Sequence, residues 1–216
     1  KLSINNQLLK EEYSIQYLGV ILDSHLNWKA HVAHVSKKIK RNIGLLSKIR
    51  YYVSSKTLVS LYYALIYPFL TYSLIAWGNT YETNIKPLLI LQKRAIRIIT
   101  FSSFFEHTSP LFKSLKIINF SDLVQFVTSV FMFKYHKQLL PSIFSNYFTS
   151  ISNVHNYNTR LASKSSYALT NPRTNYGVFS IKFQGPKTWN FIDESLKSCS
   201  LRAFKKKLKI QILDNY

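Results

Sequence analysis

The segment 57–80 carries no charged residue, and this restricts the fold more than any other feature of the sequence. A stretch of this length and apolarity has to be removed from water, either inside a protein core or across a membrane. Pro68 lies in its middle and would interrupt the hydrogen bonds of a continuous helix. The sequence therefore favours a buried helix, kinked or broken at Pro68 and ending near Gly78, with a membrane anchor as the alternative.

The preceding segment, 27–52, is an amphipathic helix for which Asn27 is the predicted cap. Its apolar side is formed by Val32, Val35, Ile39, Ile43, Leu46 and Ile49, at helical spacing. Its other side carries Lys37, Lys38, Lys40, Arg41 and Lys48, with Gly44 among them. No Asp or Glu occurs between Asp23 and Glu82, so the mixed-sign pairs of an ordinary solvated face are missing. A polyanion-binding face is favoured over a plain solvated one, and Gly44 would allow close approach.

The charge of the whole chain points the same way, with 29 Lys and Arg against 9 Asp and Glu and a net charge of +20 over 216 residues. Nucleic acid is the first candidate partner and an anionic membrane surface the second. Because 47% of the residues are hydrophobic, the chain can build a core and is not a disordered basic tail. The single cysteine, Cys199, excludes an internal disulfide framework and makes an intracellular setting the default.

The remaining pattern predicts a mainly α fold with short N-terminal antiparallel strands, a helical bundle and a small β element near the C-terminus. Residues 2–23 are predicted as three strands, with Gly19 at a bulge or close backbone approach. Further helices are expected from Ser54 or Ser55, over 85–100, from Ser109-Pro110, over 121–140 and over 200–213. VFSIKF (178–183) is predicted as a strand, and Trp189 as a core residue.

Two further groups of polar residues are candidate contacts to a polyanion. Lys93, Arg94 and Arg97 extend the cationic surface onto the helix over 85–100, where both binding and an ordinary solvated face remain open. The segment HNYNTR supplies His155, Asn156, Asn158 and Arg160 within a long irregular stretch. For this segment both a phosphate-contacting loop and a tight hydrogen-bonded turn remain open.

The sequence contains no recognisable catalytic site. Two-metal phosphoryl chemistry needs clustered carboxylates, whereas the acids here are scattered and the adjacent pairs Glu11-Glu12 and Asp193-Glu194 do not resemble a metal cradle. His31 and His34 have no further ligand nearby in sequence, and neither a phosphate-binding GxxxxGK[ST] loop nor a GxSxG elbow is present. Residue chemistry therefore argues for binding rather than catalysis.

Seven phrases in series carry a family resemblance: YLGVILDSHLNWKAHV, SKKIKRNIGLLSKIR, LYYALIYPFLTYSLIAWG, LQKRAIRII, SPLFKSLKI, HNYNTR and GPKTWNFI. Together, from about Ile4 to Leu213, they resemble the C-terminal part of reverse transcriptases from jockey-like retrotransposons without long terminal repeats. The start at Lys1, without methionine, is expected of a piece of a longer protein.

The resemblance implies three regions: β strands with a primer-grip-like motif (1–26), a helical thumb-like region (27–104) and a mainly helical C-terminal region (105–216). Tyr17, Leu18 and Gly19 would form the primer grip. The implied partners are RNA, an RNA–DNA or DNA duplex held during target-primed reverse transcription, and an upstream palm. The implied location of the parent protein is the nucleus and cytoplasm.

The family's aromatic-Ala-Asp-Asp motif is absent, so the chain is expected not to polymerise alone; Mg²⁺ is expected with the palm and no cofactor with this chain. A membrane-associated basic protein and a non-enzymatic interaction fragment of a decayed or repurposed element are the alternatives.

Overall fold

The computed structural model describes residues 3–4, 7–8, 12–153 and 165–216. The N-terminal strands form two separate antiparallel pairs rather than one three-stranded piece: β1 (Ser3–Ile4) with β2 (Gln7–Leu8), and β3 (Ser14–Tyr17) with β4 (Val20–Asp23). The prediction of a bulge at Gly19 is wrong. Leu18 and Gly19 have φ of 45° and 80° and form the two-residue turn between β3 and β4, where Tyr17 pairs with Val20. Such turns need positive φ at both central residues, which glycine adopts without strain.

The rest of the described chain is mainly helical, with an isolated antiparallel bridge between Ser150 and Tyr167. The helices are α1 (Lys29–Ile49), α2 (Ser55–Leu65), α3 (Tyr67–Thr71), α4 (Leu74–Trp77), α5 (Glu82–Ile99), α6 (Thr108–Leu115), α7 (Phe120–His136), α8 (Asn175–Phe179), α9 (Ile181–Asn190), α10 (Glu194–Lys197) and α11 (Leu201–Asp214). Short 3₁₀ turns occupy Ser142–Phe144 and Ile151–Asn153. The mainly α prediction is confirmed.

The junction between β4 and α1 is organised by a carboxylate. The side chain of Asp23 accepts hydrogen bonds from the backbone N–H groups of His25, Asn27 and Trp28 at 3.2, 3.0 and 2.8 Å. The capping residue is Trp28, in a left-handed conformation with φ 66°, rather than the predicted Asn27. The Asn27 side chain nevertheless accepts the N–H of Lys29 at 2.9 Å, so it satisfies one of the free donors at the start of α1.

The uncharged segment 57–80 is folded as α2, α3 and α4, with Pro68 in the first turn of α3. The predicted break at Pro68 and the predicted start at Ser54, whose hydroxyl accepts the N–H of Thr57, are confirmed. One side of the segment is fully removed from water: Leu58, Tyr62, Ile66, Leu70, Leu74 and Trp77. Over the described residues, no single helix combines the length and apolarity needed to cross a membrane; only α6 and α7 taken together, bent by 43°, meet that test.

Two clusters of buried side chains hold the helices together. The first joins α1 to α2, α3, α4, α5, α6 and the start of α7. The second packs the end of α7 against α9 and α11, with Phe148 and Tyr167. Trp189 is fully buried in this second cluster, which confirms its prediction as a core residue.

Three predicted boundaries in the second half are wrong. Helix α6 begins at Thr108 rather than at the Ser109-Pro110 pair, so Pro110 is its third residue. Helix α7 begins at Phe120, where Asn119 accepts the N–H of Asp122 at 3.0 Å, and it ends at His136. The predicted strand 178–183 is helical instead and is divided between α8 and α9. Further along α9, Gly185 packs so closely on α7 that an added Cβ would lie 2.7 Å from the sulfur of Met132. Tertiary packing thus outweighs local β propensity.

Candidate nucleic-acid interface

Helix α1 displays its cations on the side opposite the core. Lys37, Lys40, Arg41 and Lys48 are exposed, as is Gly44 between them, whereas the predicted apolar positions from Val32 to Leu46 are buried. We call these five exposed residues the α1 cationic face. From Lys37 to Lys48 the face extends for about 16 Å at 1.5 Å per residue. Among the described residues no carboxylate lies within salt-bridge distance of these cations, so the charge of the face is unneutralised.

Gly44 faces open space. A methyl group built at this position would meet no other atom within 4 Å, so packing does not require glycine here. Glycine in an exposed helix interior costs about 1 kcal/mol relative to alanine. The structure therefore offers no packing reason for this residue.

Helices α1 and α5 run parallel, which sets where their side chains meet. At their starts, the side chains of Thr80 and Asn84 donate to the carbonyl of Asn27 at 3.3 and 2.8 Å. At their ends, the rings of Tyr51 and Phe101 lie 5.8 Å apart. A groove of about 490 Å³ lies between the first halves of the two helices and is lined by Lys29, Lys37, Lys40, Ser36, Thr83 and Pro87, among others. Two cations of the α1 cationic face, Lys37 and Lys40, thus line this groove.

Lys38 lies on the other flank of α1. Its ammonium is 5.4 Å from the centroid of the Phe69 ring, and it lines a cavity of about 300 Å³ together with Leu18 and Gly19. The hydroxyl of Tyr72 donates to the carbonyl of Leu18 at 2.6 Å and so ties the β3–β4 turn to the segment after α3. Two predicted groups, the Leu18-Gly19 pair and a lysine of α1, therefore share one cavity, while Tyr17 is exposed beside them.

His31 and His34 also line this cavity. The backbone N–H of Ile21 donates to Nδ1 of His31 at 3.3 Å, which leaves the proton of the neutral ring on Nε2. Burial lowers the pKa of both imidazoles, and nearby positive charges lower it further: those of His34 and Lys38 act on His31, and those of Lys38 and Lys37 act on His34. The lowered pKa values favour the uncharged form of both rings, so Lys38 is the charged residue in the lining of this cavity. Across the described chain, no three His, Cys, Asp or Glu side chains are grouped to hold a metal ion.

The predicted cations of α5 have unequal roles. Arg94 is exposed and Lys93 is partly buried. Arg97 donates from Nε and Nη2 to the carbonyl of Glu106 at 3.0 and 2.8 Å, and its guanidinium lies 6.0 Å from the ring of Phe104. Arg97 thus anchors the loop after α5, while Arg94 faces solvent. The predicted group His155, Asn156, Asn158 and Arg160 lies outside the described residues.

Exposed aromatic residues at the shared C-terminal end of α1 and α5 were missed by the sequence reasoning. We define the aromatic patch as Arg50, Tyr51, Tyr52, Phe101, Phe104 and Phe105. The available signal was the placement of YY and FSSFF directly after two cationic helices. It was obscured because most aromatic residues in a chain of this composition belong to the core.

Similarity to known proteins agrees with the motifs quoted above. The chain is 23% identical over 133 residues to the RNA-directed DNA polymerase from mobile element jockey of Drosophila melanogaster, and 26% identical over 140 residues to that of Drosophila funebris. It is 26% identical over 129 residues to the probable RNA-directed DNA polymerase from transposon X-element of Drosophila melanogaster. The chain is reverse transcriptase-like. The predicted resemblance is confirmed.

The matches cover part of each protein. They include 60%, 63% and 57% of this chain but only 14%, 15% and 14% of the respective relatives. No protein-family model matches the chain, and no solved structure matches it significantly. This reverse transcriptase-like chain therefore corresponds to a small portion of its relatives' length.

Proposed function

We propose that this chain is the primer grip, thumb and C-terminal region of a jockey-like retrotransposon reverse transcriptase, and that it holds the backbone of a template–primer duplex during target-primed reverse transcription. The observation that carries the proposal is the α1 cationic face, an exposed and acid-free row of cations on a helix buried along its other side. The residues beside this face also support the proposal, because the Leu18-Gly19 turn and Lys38 line one cavity on a flank of α1.

A rigid helix suits this role. Apolar contacts hold α1 against α5, and Asn42 of α1 donates to the carbonyl of Leu65, so its cations need little reorganisation to meet a polyanion. Each phosphate neutralised by Lys or Arg releases condensed counterions, which provides affinity without reading sequence. In this proposal the metal-binding aspartates and their Mg²⁺ belong to a palm domain of the same protein, and this chain positions the nucleic acid for it.

The test is a salt series with the 216-residue chain and a DNA duplex or an RNA–DNA hybrid of random sequence. We expect the logarithm of the binding constant to fall linearly with the logarithm of salt concentration, by about 0.9 per phosphate neutralised on B-DNA. Binding that is insensitive to salt, or confined to one sequence, would contradict the proposal. Partition into anionic liposomes in preference to duplex would instead favour the membrane-associated alternative.

A further inference from the structure

We infer that the aromatic patch binds the unpaired bases of a single-stranded nucleic acid, next to the duplex held by the α1 cationic face. Duplex binding by the α1 cationic face does not require the aromatic patch, because a double helix presents phosphates and groove edges rather than the faces of its bases. The inference rests on the proposed function in two respects: it takes the ligand to be a nucleic acid, and it places the single strand beside a duplex bound along α1.

The rings of the patch lie on the surface, where a core role does not account for them. Tyr52 is 86% exposed and Phe105 is 91% exposed, and Tyr51 and Phe104 are exposed as well. Water-exposed aromatic surface of this kind is unfavourable unless a partner covers it. The patch therefore has the properties of a binding surface.

Two parts of the patch are held in place by arginines. The guanidinium of Arg50 lies 4.7 Å from the ring of Tyr51 and 4.8 Å from that of Phe101, and its Nη2 donates to the Tyr51 hydroxyl at 2.9 Å. Arg97 fixes the loop through the carbonyl of Glu106, beside Phe104, whose ring meets that of Phe105 at 5.2 Å. The rings are thus presented on positioned segments rather than on a free terminus.

The backbone conformation at Phe101 also indicates that its ring is held in a defined position. Phe101 has φ 56° at the end of α5, where the N–H of Ser102 donates to the carbonyl of Arg97 at 3.0 Å. Helix ends of this type usually place glycine in the left-handed position, because a side chain there is strained. Phe101 occupies this strained position, and the guanidinium of Arg50 lies 4.8 Å from its ring.

The charge around the patch is complementary to a nucleic-acid strand. Lys48 lies in the last turn of α1, and Arg94 precedes the end of α5. The exposed Glu106, which follows Phe105 in sequence, carries the opposite charge. Because α1 leads into Tyr51 and Tyr52, a strand that leaves a duplex bound along α1 would pass the patch. Cationic grooves with exposed rings are typical of surfaces that bind single strands by base stacking.

The experiment compares Tyr52→Ala with Phe105→Ala, singly and together, in binding to a short oligouridylate, to the matching oligothymidylate and to an abasic strand of equal phosphate number. Each ring that stacks on a base should weaken binding to the base-containing strands by about 5- to 150-fold on removal. Binding to the abasic strand and to a blunt duplex should stay unchanged. Both residues are so exposed that folding should be preserved, which the thermal unfolding midpoint checks.

Matched variants make the result specific. Phe191→Ala removes a ring that is 85% exposed outside the patch and should change nothing, whereas Tyr52→Trp should retain or strengthen binding. Glu106→Gln should strengthen binding to all strands. A greater effect on RNA than on DNA would identify the strand as RNA, and the reverse as DNA.

Three results would overturn the inference. The unaltered chain could bind abasic and base-containing strands equally; the alanine variants could bind the base-containing strands as well as the unaltered chain does; or they could lose affinity for both strands alike. If the chain still binds duplex with the expected salt dependence in any of these cases, the proposed function is retained and only the single-strand inference fails. Failure of the inference can therefore be distinguished from failure of the proposed function.

Discussion

Removing three cations from α1 should weaken duplex binding in a calculable way. Lys37, Arg41 and Lys48 are exposed and lie within about 40° of one another around the helix. If each neutralises one phosphate, replacing all three by glutamine lowers the slope of log affinity against log salt by about 2.7 on B-DNA. By the same relation, each phosphate contact raises the binding constant about eightfold at about 0.1 M salt, so the triple variant should bind about 500-fold more weakly.

Fluorescence anisotropy of a labelled DNA duplex, titrated at several salt concentrations, measures both quantities. The matched control replaces Lys205, Lys206 and Lys207 of α11, which are exposed and contribute the same charge, by glutamine. We expect this control to retain most of the affinity, because general attraction between net charges is screened within about 10 Å at 0.1 M salt. Equal losses in the two triple variants, or a slope that changes by less than about 1 in the α1 variant, would refute the assignment of the α1 cationic face.

Three further predictions concern stability and fine geometry. Gly44→Ala should raise the free energy of unfolding by about 0.5–1 kcal/mol, because the site is open, while weakening duplex binding if the backbone approaches the phosphates there. Burial lowers the pKa of His31 in the fold, so its contribution to stability is complete above the ordinary value of 6.5 and is lost as pH falls below it, at up to about 1.4 kcal/mol per pH unit. Gln92→Leu should cost about 2–4 kcal/mol, because the fully buried amide donates to Tyr62 and to the carbonyl of Ile118.

Each of these has a control. Gln211→Gly, at an exposed position of α11, should lower stability and leave duplex affinity unaltered. Unchanged binding by the Gly44 variant would remove the close-approach explanation. The free energy of unfolding, measured with urea at about pH 5 to 7, should depend less steeply on pH in His31→Asn than in the unaltered chain. The amide oxygen of this variant can still accept the N–H of Ile21. An unaltered slope would show that another group titrates in this range. Adding Tyr62→Phe to the Gln92 variant should recover part of its loss, since it removes the hydroxyl left without its donor; no recovery would contradict the hydrogen-bond account.

Much of the fold was predictable because local signals and burial agreed. The spacing of Val32, Val35, Ile39, Ile43 and Leu46 assigned the buried side of α1 correctly, since helical periodicity directly reports which side meets the core. The strand predicted over 178–183 failed because its apolar residues meet distant parts of the chain in a helical conformation. Ile181 packs on the cluster that contains the end of α7, and the ring of Phe179 lies 4.8 Å from that of Tyr81. The hairpin turn at Leu18-Gly19 was missed because a YLG sequence lacks the Asn-Gly or Asp-Gly signal of such turns.

The sequence by itself determined how charge is distributed along the chain. It gives a net charge of +20, an interval without acids between Asp23 and Glu82, and cations opposite the apolar side of α1. These follow from composition and from the helical repeat, both of which are local. Only the tertiary structure decided which charges meet which neighbours. The parallel packing of α1 on α5 brings Tyr51 to Phe101, and the Tyr72 hydrogen bond brings the Leu18-Gly19 turn to Lys38. Such pairings depend on how helices distant in sequence pack, which periodicity along one helix does not encode.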